Sequence, residues 1–220
     1  MVSNNYTLTK TKILSGLQCH KKLWFDLHDP KKKEHNWILE KGFRFENVVR
    51  ENYSKDYGKV LDLSGDWEDV VSKTMLGIKS NDTEVIFEGA FIYLDTLVRA
   101  DVLIKNKKGW ELLEIKSSTK KKDAHISDIA IQSFIVKKCG VNLTSVKLIH
   151  VNEDFTYTSD GNYKDLINFE NEITDEVILK EKDVSNYIKD LTPLIDEKDS
   201  PNILMGDHCQ KPYSCDYQER

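Results

Sequence analysis

The hydrophobic positions between residues 84 and 116 alternate in three short runs that turn signals separate. In the run TLVRADVLIK every second residue from Val98 to Ile104 is apolar, so these side chains share one face of a strand. Asp101 falls on the other face and is predicted to point away from the core. In the next run, WELLEIK, Glu114 and Lys116 share a face. A tight turn between the two runs predicts an antiparallel hairpin.

The rest of the chain alternates predicted helices with predicted strands. Helical spacing covers residues 35–53, 66–79 and 123–139, and two short helices are predicted within 11–28. One or two further amphipathic helices are predicted over 167–180 and 182–197. Short apolar runs predict strands at 59–63 and 143–151. The pattern predicts the α/β class, with a mixed central β-sheet flanked by helices.

Length, composition and charge limit the domain count and the class of protein, but they do not indicate a function. A chain of 220 residues suits one domain over residues 1–220, which is either whole or the N-terminal part of a longer protein. No apolar run approaches a membrane span, and the N-terminus lacks an apolar core typical of secretion signals, so a cytoplasmic protein is expected. The net charge of −5 gives no basic footprint for nucleic acid.

The candidate functional groups of the predicted hairpin are two carboxylates and an ammonium. Asp101, Glu114 and Lys116 are expected to converge across the two strands. Adjacent carboxylates repel each other unless a cation neutralises them, and oxygen ligands favour Mg²⁺ or Mn²⁺. The alternative is a solvated outer face with cross-strand Glu–Lys pairs.

The motif D-x12-E-x-K resembles the signature of the PD-(D/E)XK, restriction-endonuclease-like nucleases. Gly42 and Glu46, spaced as G-x-x-x-E, look like the helical first motif of the RecB-like branch, and Gln132 looks like its later glutamine motif. From the residues alone, the alternative for Glu46 is a half-exposed glutamate beside a packing glycine, and the alternative for Gln132 is a structural hydrogen bond to a neighbouring strand. The aromatic residue that the family carries one turn after the glutamine is Val136 here.

The resemblance implies a restriction-endonuclease-like core and a divalent-metal site. It implies metal ligands at Glu46, Asp101, Glu114 and the backbone carbonyl of Ile115, with catalytic roles for the carboxylates, Lys116 and Gln132. The lysine run of Lys120, Lys121 and Lys122 is the candidate DNA-binding patch, although a charge run is more often a solvated face.

Three of the four cysteines resemble part of an iron–sulfur motif. Cys19, Cys209 and Cys215 look like three of the four ligands that hold a [4Fe-4S] cluster in some RecB-like nucleases, including those of CRISPR adaptation. Such a cluster would join the N- and C-terminal segments. The fourth cysteine of that motif is absent. This leaves open a fragment of a longer protein, a lost cluster, a histidine ligand at His20 or His208, a zinc site, or three unrelated thiols.

These features together predict a metal-dependent deoxyribonuclease, exonuclease-like on DNA ends or single strands. Expected partners are DNA and further domains or proteins of a repair or defence complex. The alternatives are a module that binds DNA without cutting it and a structural module with the nuclease fold.

Overall fold

The computed structural model describes residues 7–32, 37–63, 67–159, 161–163, 165–168 and 172–220, without the side chains of residues 38, 39, 67 and 68. The strands are β1 (Leu8–Thr9), β2 (Val60–Asp62), β3 (Val85–Tyr93), β4 (Thr96–Lys105), β5 (Trp110–Lys116), β6 (Leu143–Val151) and β7 (Ile167–Asn168). The α-helices are α1 (Lys10–Gln18), α2 (His20–His28), α3 (Trp37–Asp56), α4 (Trp67–Lys79), α5 (Asp123–Lys138) and α6 (Thr174–Leu191). Short 3-10 helices follow at Thr192–Ile195 and Asp207–Cys209.

The strands form one mixed sheet in the order β2-β3-β4-β5-β6-β7. The hairpins β3-β4 and β4-β5 are antiparallel, whereas β6 runs parallel to β5 after the crossover through α5. Strand β1 pairs in parallel with the first two residues of β4. Because β5 pairs with β4 only from Val102 onward, β4 has β1 beside its first half and β5 beside its second. A fork therefore opens at Ala100 and Asp101.

Helices cover both faces of the sheet, which explains the long buried runs in its central strands. On one face, α3 packs Phe45 and Val49 against strand residues such as Phe87, Val102 and Leu113. The larger cluster on the other face joins strand residues to α1, α4, α5 and α6. Helix α5 is buried around most of its circumference, as its apolar sequence predicts. No helix in the described ranges is long and apolar enough to span a membrane.

The element predictions are confirmed for the central hairpins, for β2 and β6, and for α1 to α5. The prediction of a helix over 167–180 is wrong in its first part. Residues Ile167–Asn168 pair with β6 as β7, and α6 begins only at Thr174. A two-residue strand carries too little periodicity to be distinguished from a helix start.

The C-terminal segment packs against α1 and α2. Gln18 donates to the backbone carbonyls of His208 (2.8 Å) and Tyr213 (2.7 Å). The Tyr217 ring stacks on Phe25 with centroids 5.0 Å apart, and its hydroxyl donates to Asp26 at 2.8 Å. The two terminal parts of the chain are therefore joined by ring stacking and hydrogen bonds.

Candidate functional site

The fork between β1 and β5 brings two carboxylates face to face. Leu103 of β4 pairs with Leu112 of the antiparallel strand β5. Asp101, two residues before Leu103, and Glu114, two residues after Leu112, therefore point to the same face of the sheet. The Asp101 carboxylate accepts a hydrogen bond from the backbone N–H of Ile115 at 2.7 Å, beyond the last β4-β5 pair. The Asp101 carboxylate therefore takes the place of a β4 partner for the backbone N–H of Ile115, at the point where β4 and β5 separate.

The prediction that Asp101 faces away from the core is wrong. Leu103 and Leu112 belong to the cluster that α1 and α5 help to form, so Asp101 points toward these helices. Alternation finds two faces of a strand, but both faces of this sheet are covered. The apolar positions on one face could not show that the opposite face, which carries Asp101, is covered as well.

Two lysine ammonium groups form ion pairs with Glu114 and with a third carboxylate, Asp128. Lys116 Nζ lies 2.6 Å from Glu114 Oε1 and 2.5 Å from Asp128 Oδ2. Lys10 Nζ, from the first residue of α1, lies 3.1 Å from the same Glu114 oxygen and 3.0 Å from Asp128 Oδ1. The predicted convergence of Glu114 with Lys116 is present, and a second lysine and a third carboxylate join it.

The pKa shifts follow from this mixture of burial and charge. Burial and the charge of Glu114 raise the pKa of Asp101 well above its usual value. Burial opposes ionisation of Glu114 too, but Lys10 and Lys116 hold its pKa well below the usual range. The carboxylates outweigh burial at both lysines, and the pKa of each ammonium is raised. The pKa values of the two carboxyl groups are thus shifted in opposite directions, so Asp101 takes up a proton more readily than Glu114.

Gln132, on the buried side of α5, holds the second oxygen of Glu114. Its amide Nε2 donates to Glu114 Oε2, and the residue has no exposed surface. Its Oε1 is buried with no hydrogen-bond partner among the described residues. A buried amide with one free acceptor can take one more donor at this site, such as water.

Glu46 belongs to a different cluster of charged side chains, on the side of the sheet that α3 covers. Arg50, one helical turn later, donates to Glu46 at 2.6 Å and to Glu88 at 2.9 Å, and its guanidinium lies over the Phe87 ring. Burial and the charge of Glu46 raise the pKa of Glu88. Within the described ranges, no hydrogen bond or ion pair links Glu46 to Asp101 or Glu114. Its predicted role as a metal ligand, like that of the Ile115 carbonyl, stays a prediction.

The lysine run is exposed and partly paired. Lys121 contacts Glu176 at 2.5 Å, and Lys120 lies 3.7 Å from Glu153. Lys122 is the residue before α5 and is exposed. All three sit between Lys116 and α5, so the run borders the carboxylate site, and its contact with DNA stays a prediction.

Lys116 and Asp128 also line a cleft of about 460 Å³ between α1, the start of α5 and the C-terminal segment. Its volume lies in the range of ligand pockets. His125 and the half-exposed Tyr213 are in the wall. The buried Nδ1 of His125 has no hydrogen-bond partner in the part of the chain that the structure describes. Through this cleft the charged cluster is open to solvent.

The three predicted cluster cysteines lie around one small pocket. Cys19, Cys209, Cys215 and His208 line a cavity of about 40 Å³. In the described ranges, however, no three or more His, Cys, Asp or Glu side chains are arranged to hold a metal ion. The three thiols and the imidazole line the same pocket, but they do not form a ligand shell. The iron–sulfur cluster stays a prediction.

Carboxylate oxygens are suitable donors for Mg²⁺ or Mn²⁺, so the chemistry of the Asp101–Glu114 pair fits the predicted metal. The arrangement differs from a ready metal site in two respects. Ammonium groups already contact Glu114 Oε1, and no third His, Cys, Asp or Glu side chain in the described ranges is arranged with this pair to hold a metal ion. Glu114 and Asp101 would hold the metal once one ammonium moves away.

Sequence reasoning missed Lys10 and Asp128. Asp128 carried a usable signal, because a carboxylate one turn before Gln132 in a helix that is apolar all round needs a buried partner. Lys10 carried none. It lies 104 residues from Glu114 in the chain, and only the pairing of β1 with β4 brings it there.

No family model matches the chain, and no curated protein matches its sequence. Among solved structures, the one described as the crystal structure of SSO0001 is 13% identical to this chain. The match covers 92% of this chain and 82% of that chain, with a TM-score of 0.37. A likeness of this extent carries no argument about function. What is established is an α/β fold with a mixed sheet between helices, and the resemblance to RecB-like nucleases stays a prediction.

Proposed function

We propose that the chain is a metal-dependent nuclease that hydrolyses phosphodiester bonds in DNA, acting on DNA ends or single strands. One observation carries the proposal: Asp101, Glu114, Lys116 and Gln132, which the motif resemblance selects from separate segments, lie together at one site. A solvated outer face, the competing interpretation of the hairpin, does not account for a glutamate that is 1% exposed.

The proposed role of each site residue follows from its contacts. Mg²⁺ or Mn²⁺ held by Asp101 and Glu114 would supply an activated water and offset negative charge on the attacked phosphate. Gln132 fixes the orientation of Glu114 through the carboxylate oxygen that faces away from the lysines. Lys116 donates hydrogen bonds beside the cleft, where it orients the attacking water or stabilises the charge that develops on phosphate oxygens.

A module that binds DNA without cutting it is the second candidate. One observation favours it: Lys10 and Lys116 already form ion pairs with Glu114, so this carboxylate has counter-ions without any metal. The exposed lysine run would still attract phosphates.

The test is cleavage of end-labelled single-stranded and duplex DNA with Mn²⁺, Mg²⁺ or EDTA. Asp101→Asn keeps the shape of the side chain and an oxygen for the Ile115 N–H, so the fold should persist while Mn²⁺-dependent cleavage is lost. Lys116→Gln should also abolish cleavage. Lys107→Gln is the matched control, because this exposed lysine precedes β5 and lies roughly 20 Å from its far end.

Cleavage that is undiminished in Asp101→Asn would refute the proposed centre. Tight DNA binding with no cleavage under either metal would favour the binding module instead. The iron–sulfur prediction is separate, and the visible absorption spectrum of anaerobically purified protein, with iron and zinc counted, tests it. A colourless protein without iron would remove the cluster and leave the nuclease proposal intact.

A further inference from the structure

Lys10 occupies a position at the fork that the proposed nuclease chemistry does not use. It follows β1 directly and begins α1, so its ammonium enters the site from the gap between β1 and β5. Its side chain is 20% exposed, and its contacts are with Glu114 and Asp128. Lys116 makes contacts of the same kind from the centre of the sheet.

A divalent cation and the Lys10 ammonium would compete for the same oxygen. Lys10 Nζ lies 3.1 Å from Glu114 Oε1, and Mg²⁺ binds oxygen at about 2.1 Å, so the two cations would stand no more than roughly 5 Å apart. At that distance, in a partly buried site, like charges repel strongly. One ammonium has to withdraw when a metal binds.

Lys10 is the ammonium that can withdraw. Lys116 belongs to a strand paired through its last residue with His150 of β6. Lys10, in contrast, stands after a strand that pairs with β4 at only two positions. A shift at the start of α1 breaks few backbone hydrogen bonds, whereas a shift of Lys116 disturbs the sheet.

We propose that Lys10 is an internal counter-cation that holds Glu114 and Asp128 together without metal, and that a divalent ion must displace it to bind Asp101 and Glu114. This inference rests on the proposed function, because it assumes that these carboxylates bind metal. Lys10 is then a positioning residue, which couples metal binding to movement of the β1-α1 junction and lowers the affinity of the site.

The test compares Lys10→Met with wild type in Mn²⁺ binding, measured from the electron paramagnetic resonance signal of free Mn²⁺. Removing the competing charge should tighten Mn²⁺ binding by about tenfold or more. In EDTA the variant should melt at a lower temperature, because its carboxylates lose a partner. A residue that only supports the fold would lower the melting temperature without tightening Mn²⁺ binding. Lys12→Met is the matched control, since Lys12 on the same helix contacts the Thr7 carbonyl.

Wild-type protein supplies an independent measurement if Lys10→Met does not fold. Amide hydrogen exchange over residues 8–13 should accelerate when Mn²⁺ is added. Unchanged Mn²⁺ affinity in a folded Lys10→Met protein, no binding to either protein, or unchanged exchange on Mn²⁺ binding would each overturn the inference. If wild type cleaves DNA but Lys10→Met has unaltered affinity, only this inference fails. If Lys10→Met binds Mn²⁺ more tightly and no protein cleaves, only the proposed function fails.

Discussion

Glu114→Gln should destabilise the protein far more than an ordinary glutamate substitution. The carboxylate is 1% exposed and contacts two ammonium groups, and breaking a buried ion pair costs about 3–5 kcal/mol. Because the side chains of Lys10 and Lys116 are 20% and 24% exposed and both keep Asp128, we expect a loss of about 2–3 kcal/mol. In a domain of this size that lowers the melting temperature by about 4–12 °C.

Urea unfolding at pH 7 in EDTA measures this loss, with Glu111→Gln as the control. Glu111 lies on the same strand and pairs with Lys147 at 2.6 Å, but it is more exposed, so its loss should stay below about 1 kcal/mol. Since the folded protein lowers the pKa of Glu114, its contribution is present above pH 4.5 and lost as the pH falls below that value. Equal effects of the two substitutions, or a stabilised Glu114→Gln protein, would refute the reasoning.

Three further predictions address the hairpins and Lys10. Leu94 and Asp95 form the β3-β4 turn with φ of 47° and 53°, so replacing them with Asn and Gly should stabilise the protein by about 0.5–1 kcal/mol in urea unfolding, and a loss would contradict the turn assignment. Gly109→Ala would place Cβ 2.3 Å from the Asn142 carbonyl oxygen and should cost about 1–3 kcal/mol, whereas Gly58→Ala, whose Cβ meets no described atom within 4 Å, should be nearly neutral. The raised pKa of Lys10 means that its stabilisation is complete below pH 10.5 and declines above it, so the unfolding difference between wild type and Lys10→Met should shrink in alkaline buffer; a constant difference would contradict the ion pairing.

The sequence predicts the elements better than it predicts which face of each is covered. Strands with a period of two and helices with wide apolar stripes were located because their periodicity is local. The placement of Asp101 failed because covering helices come from distant parts of the chain. Alternation locates Asp101 opposite Val102, but only the packing of α1 and α5 decides that this opposite face is buried.

The candidate site was predicted as far as its residues belong to one hairpin. Glu114 and Lys116 are two positions apart on a strand, so their common direction follows from the pleat. The cross-strand partner Asp101 follows from the register, and Gln132 from the family resemblance. Lys10 could not be found, because no sequence rule states that β1 adds to β4 where β5 departs from it.

The packing of residues 208–220 on α1 and α2 has a consequence for how the protein forms. These contacts join residues about 190 positions apart, as between Gln18 and His208 or Asp26 and Tyr217. Closing so long a loop costs conformational entropy, and contacts between residues far apart in the sequence slow folding. During synthesis, α1 and α2 leave the ribosome long before residues 208–220 exist. The contacts of these two helices with the C-terminal segment therefore cannot form until about 190 further residues have been made.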